Sequence, residues 1–193
     1  MVDEFFVWST MHRENSASLE RPEGVKRFWD LFEGVPLAEG WGEVTCDMDA
    51  NNPYDMGLLD VVDNFSTLAI ISPQLRDFMR SVPCVGVEYL PINIKDHRGK
   101  ISSREYSIIN PHPLRHALDV SASGARYCSF DKTVIDDVDK LIINSDRVPS
   151  EVSIFRLSGL VRPVVVRKKL AELISGAGFL GIRWVPASAY PEM

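Results

Sequence analysis

ISPQLRDFMRSVPCVGVEYLP (71–91) and VRKKLAELISGAGFLGIRWVP (166–186) align without a gap at an offset of 95 residues. Leu75 meets Leu170, Gly86 meets Gly181 and Pro91 meets Pro186. Ile71/Val166, Asp77/Glu172, Phe78/Leu173, Met79/Ile174, Val87/Ile182, Tyr89/Trp184 and Leu90/Val185 agree in kind. Each copy reads as a strand, a helix and a closing strand. Ser72 can cap the first helix and Pro73 fits its first turn, because the first N–H groups of a helix lack partners within it. Two copies are too few for a solenoid, which needs about three repeats to stack. A duplicated strand–helix–strand unit inside one compact domain is expected, with Leu75 and Leu170 buried at corresponding places. The repeat consists of apolar packing and turn glycines, and carries no catalytic chemistry.

Working outward, EFFVWST (4–10) is rich in β-formers and reads as a strand. A helix is expected from Pro22, with Val25, Phe28, Trp29 and Phe32 at helical spacing and Gly34 as its cap. WGEVTC (41–46) reads as a short strand, and DMDANNPYDMG (47–57) as a turn-rich loop. KDHRGK (95–100) is a hairpin loop before the strand EYSIIN (105–110). Pro113 is expected to open a short helix over Leu114 and Leu118. ARYCSFD (125–131), DKLIIN (139–144), VSIFRL (152–157) and VVV (164–166) read as strands. Strand runs interleaved with hairpins and few helices predict α+β: a mixed, mainly antiparallel sheet with the duplicated unit at 71–91 and 166–186. The composition shift near 47–57 suggests an N-terminal portion, 1–57, packed on a body spanning 58–193.

The chain has 193 residues and a formal net charge of −6, with a pI near 5.2. A domain of this size buries roughly 70% of its unfolded surface and needs no metal or disulfide to hold it. The acidity argues against nucleic acid as a partner, which requires a basic footprint. It suits a basic protein partner instead. Asp3 and Glu4 stand where a signal peptide would carry Lys or Arg, and no run approaches the ~20 apolar residues of a membrane span. Cys46, Cys84 and Cys128 are odd in number and widely spaced, as expected of buried thiols in a reduced cytoplasm.

Several motifs fail the context that their chemistry demands. Gly176-Ala177-Gly178-Phe179-Leu180-Gly181 spells GxGxxG, but it follows a helix and precedes a strand, the reverse of a dinucleotide fingerprint. Its glycines read as helix-end residues. Asp47, Asp49 and Asn51 begin like a calcium loop, yet Asn52 stands where Gly is needed and Leu58 where a bidentate Glu is needed. His112 and His116 have the i, i+4 spacing of two zinc ligands, without the further ligands a closed site requires. No GxSxG elbow is present. No catalytic, cofactor or metal residue is therefore assigned. Two acidic groups remain as candidates for docking a partner. Asp136, Asp137 and Asp139 form one; the ordinary reading of such a run is a solvated hairpin face. Asp47, Asp49 and Asp55 form the other, flanked by Trp41 and Tyr54, which would serve as interface anchors if exposed. Trp29, Tyr89 and Trp184 fall in periodic segments and are expected in the core.

The order of elements from about Ser66 to Pro186 resembles the eleventh numbered family of immunity proteins in bacterial polymorphic-toxin systems. The resemblance is carried by IISPQLRDFM closed by GVEYLP, by YSIINP before HALD, and by the acidic hairpin leading into KLIIN. RVPSEVSIFRLSG and VVVRKKLAELI with LGIRWVP complete it. Arg167-Lys168-Lys169 opens the second helix where that family often has Ser-Glu-like caps. The resemblance implies a cytoplasmic protein that binds a cognate toxin domain and neutralises it, with no shared active site to carry over. An enzyme whose residues meet only in three dimensions, or a small-ligand or scaffold module, are the alternative readings.

Overall fold

The computed structural model describes residues 4–191. In chain order, β1 is Phe5–Thr10, β2 Ser18–Leu19, α1 Asp30–Glu33, β3 Thr45–Asp47, β4 Val61–Asn64, β5 Ile70–Ile71 and α2 Pro73–Ser81. Then come β6 Val87–Lys95, β7 Ile101–Pro111, β8 Pro113–Leu114, β9 Arg126–Tyr127 and β10 Ile135–Asp137. β11 Ile154–Leu157, β12 Leu160–Arg167, α3 Lys168–Gly176 and β13 Ile182–Pro186 complete the fold. The strands form a five-stranded sheet ordered β13-β1-β12-β11-β8 and a six-stranded sheet ordered β2-β4-β5-β7-β6-β3, with β9 and β10 as a separate hairpin. Most pairings are antiparallel; β2–β4, β3–β6 and β8–β11 are parallel. The class is α+β, as the sequence suggests.

The two repeat segments occupy corresponding places, one in each sheet. β5 and β6 both pair antiparallel with β7, which lies between them. β12 and β13 both pair antiparallel with β1, which lies between them. Each is a β-α-β unit split by a third strand. The registers agree as well. Ile71 and Pro91 both face Ser107, while Val166 and Pro186 both face Phe6. Ile70 and Leu90 face Ile108, while Val165 and Val185 face Val7. Even the closing turns match: His112 N–H donates to the Gly86 carbonyl at 2.8 Å and Met11 N–H to the Gly181 carbonyl at 2.9 Å. Gly181 has φ +86°, and a Cβ there would lie 2.1 Å from the Val61 carbonyl oxygen, so only glycine fits.

This register sets the core. Side chains alternate across a strand, so one set from each unit turns inward. Ile71, Leu75, Met79 and their counterparts Val166, Leu170 and Ile174 share one cluster with Trp8, Ile109 and Val164, in which α2 and α3 pack with residues of both sheets. The other set turns outward and is covered separately. Ile70, Leu90 and Ile108 lie with Leu19, Leu31, Val44 and Cys46 from the first 57 residues. Val7, Val165 and Val185 lie with Leu118, Leu141 and Val148. The N-terminal residues are thus part of both sheets: β1 is interior to one, and β2 and β3 edge the other.

Four expected elements differ. The strand expected over 125–131 reduces to β9, Arg126–Tyr127. The helix expected from Pro22 reduces to α1, because Glu23 pairs with Thr45 and Gly24 turns the chain at φ +89°. Trp29 is consequently 69% exposed rather than core. The helix expected at Pro113 is instead β8, which pairs with Arg156 and Leu157, and His116 sits at φ +64°. Residues 139–144 form no named strand; a bridge between Leu118 and Ile143 and the N–H bonds of Asp139 and Lys140 to the Ser123 carbonyl hold them.

Candidate partner-binding surface

The loop from Asp47 to Asp55 is organised from within. Asp49 is 5% exposed, and its carboxylate accepts the Asn51 N–H and side-chain amide at 2.9 Å and the Asn52 amide at 2.6 Å. The Asn51 N–H, followed by the Asn52 amide, holds that carboxyl below the usual range. Asp49 therefore fixes the loop instead of presenting charge to a partner. Trp41 is half-buried against the core and donates its indole N–H to the Pro91 carbonyl at 2.9 Å. Asp47 is paired through β3 with Lys95, and Asp55 is half-buried. Tyr54 is 91% exposed. With Pro53 and Met56 it faces the tip of the β6–β7 hairpin, Asp96 to Arg98, across a hollow of about 410 Å³. Asp96 accepts the N–H groups of Lys100 and Arg98, which outweigh its burial and lower its pKa. Each side of the hollow is a loop closed by one of its own carboxylates, Asp49 on one and Asp96 on the other.

The second acidic group lies on the β9–β10 hairpin. Arg126 binds Asp137 and Asp139 at once. Its hydrogen bond to Asp137 holds that carboxyl below the ordinary range. Two of the three aspartates are thus partly neutralised, while Asp136 is exposed and has no ion pair among the described residues. At the tip, Asp131 accepts the Thr133 N–H at 2.8 Å and hydroxyl at 2.6 Å, and the Lys132 ammonium donates to the Cys128 carbonyl at 3.1 Å. Beside the hairpin a hollow of about 380 Å³ is lined by Asp136, Asp137, Leu160, Arg162 and Tyr190 among others. Sequence reasoning missed Phe130, which is 99% exposed between Ser129 and Asp131. The sequence reads 125–131 as one strand, whereas β9 stops at Tyr127 and the Asx turn of Asp131-Lys132-Thr133 follows Phe130.

The two candidate groups are not brought together into one elementary site. One sits beside β3 and the β6–β7 turn, the other beside β12. His112 and His116 no longer share a helix face, and no group of three or more His, Cys, Asp or Glu is placed to hold a metal among the described residues. Cys46 is buried, and desolvation followed by the Asp47 charge pushes its thiol up to about 12. Burial pushes Cys84 up to about 11. Neither thiol is placed as a nucleophile, which needs the ionised form. No helix among the described residues is long and apolar enough to cross a membrane.

These features define an acidic α+β protein that carries the exposed aromatic side chains Tyr54 and Phe130 on loops rich in carboxylates. The chain belongs to the immunity protein family Imm11, whose sequence profile matches residues 17–189. The match begins well before Ser66, so the segment around β2, α1 and β3 is part of the family's own pattern. No curated protein matches the chain. Family membership places it among toxin-neutralising immunity proteins.

Proposed function

We propose that this protein neutralises one cognate toxin domain of a bacterial polymorphic-toxin system by binding it stoichiometrically in the cytoplasm and covering its active surface. The observation that carries the reading is the family match over residues 17–189. The net charge of −6 adds to it, since an acidic inhibitor and a basic toxin attract at a distance and meet faster. Two surfaces are the alternatives for this contact: Tyr54 with Asp47, Asp55 and the Trp41 loop, or Asp136 with the Arg126-bound Asp137 and Asp139. The mechanism is occlusion without turnover and without a metal or cofactor.

The test is co-expression with the toxin domain encoded beside this chain in its genome. Rescue of growth, together with co-purification of the two proteins in fixed ratio, supports the reading. Rescue without a complex contradicts it.

A further inference from the structure

Phe130 is the most exposed large apolar side chain among those described, at 99%. Single exposed apolar residues are ordinary on protein surfaces. What distinguishes this one is how it is held. The tip is fixed by the two bonds from Thr133 to Asp131 and by the Lys132 bond to the Cys128 carbonyl. The base is fixed by Arg126 between Asp137 and Asp139, and by the Ile135 N–H on the Gly159 carbonyl at 2.8 Å. Tyr127, on the same hairpin, is 43% exposed. The ring of Phe130 makes no aromatic contact within the described residues, so this ordering leaves its apolar surface in water. Interface hot spots are aromatic anchors held ready in the free protein, because a rigid anchor loses little entropy on binding.

We propose that the β9–β10 hairpin is a preformed docking arm whose Phe130 enters an apolar pocket on the toxin, rimmed by basic side chains. The inference rests on the immunity reading and deepens it by assigning the contact. Charge selects the rim: between 126 and 139 four aspartates stand against Arg126 and Lys132, and Asp136 carries no ion pair among the described residues. The hollow beside Asp136, lined also by Arg162 and Tyr190, gives the partner's neighbouring side chains a place to settle. Tyr54, on its separate loop, lies outside this contact.

The experiment measures binding of wild type, Phe130→Ala and Tyr54→Ala to the catalytically inactivated toxin domain encoded beside this chain. Thermal unfolding is recorded for each variant. Phe130→Ala should leave the melting temperature unchanged and weaken binding roughly 30-fold or more, the scale of a hot-spot anchor. Tyr54→Ala should bind as wild type. Equal binding by Phe130→Ala, or a loss confined to Tyr54→Ala, overturns the docking arm while leaving the immunity reading intact. Failure of the wild type to bind removes the immunity reading itself. Sedimentation of the protein alone closes the remaining route: a dimer abolished by Phe130→Ala would assign the ring to a second copy and overturn the proposal.

Discussion

Replacing Leu170 with Ala removes three carbons from the cluster that α2 and α3 share with residues of both sheets. Leu170 is 3% exposed, and its counterpart Leu75 is fully buried at 0%. At about 0.8 kcal/mol per buried methylene, the transfer loss is about 2.4 kcal/mol. The surrounding elements are tied by strand registers on both sides, so the site relaxes only in part and a cavity term adds to the loss. The total should fall near 3–4 kcal/mol, within the roughly 2–5 kcal/mol observed for buried Leu truncations. In a chain of this length that lowers the melting temperature by about 6–16 °C. Leu75→Ala should cost a similar amount, because the two leucines hold equivalent places. Leu173 is on the same helix as Leu170 but 43% exposed, and Leu173→Ala should cost under about 1 kcal/mol. Urea unfolding of the three variants, with the slope checked for constancy, measures this. If Leu170→Ala cost no more than Leu173→Ala, the shared central cluster would be refuted.

Three further outcomes follow from the same geometry. Burial pushes the Glu88 carboxyl up, but the N–H groups of Leu37 and Ala38 and the Asn110 amide outweigh it and leave its pKa lowered. A depressed folded-state pKa gives stability that is present above the unfolded value, near 4.3 for Glu, and lost as pH falls through the folded one; Glu88→Gln should therefore flatten that part of the acid-unfolding curve, and an unchanged curve would remove Glu88 from it. Asp136→Lys should slow toxin association and reduce its salt dependence with little effect on dissociation, as read by binding kinetics across ionic strength; Asp137 is a poor choice for this test, since reversing it breaks the Arg126 clamp. A fragment of residues 58–193 lacks β1, the strand between β12 and β13, and should show no cooperative unfolding transition; a folded fragment would instead support the body at 58–193 as an independent unit.

The parts of the fold legible in the sequence are those where local and tertiary signals agree. Ser72 and Pro73 mark α2, and the Ser72 hydroxyl does accept the Leu75 N–H at 3.2 Å. Ile71, Leu75 and Met79 match Val166, Leu170 and Ile174 in kind because the common register turns all six into one cluster. Elsewhere a tertiary partner overrides the local pattern. Phe28, Trp29 and Phe32 have helical spacing, but Thr45 holds Glu23 extended and only four residues become α-helical. Pro113 fits a helix start equally well, but β11 offers it an edge, where its missing N–H costs nothing. The acidic groups were legible as residues but not as chemistry. Nothing local to Asp49 tells that its carboxylate closes its own loop, and nothing local to Asp137 and Asp139 tells that one arginine holds both. Phe130 was hidden by the strand pattern preceding it, which stops at Tyr127.

Inhibition by stoichiometric occlusion is decided by titrating the toxin's activity with the purified protein. Residual activity should fall linearly and reach its floor at one molecule of this protein per toxin domain, with both chains recovered chemically unchanged. Protection complete at far lower ratios, with the toxin or its product covalently altered, would contradict it and show an enzyme.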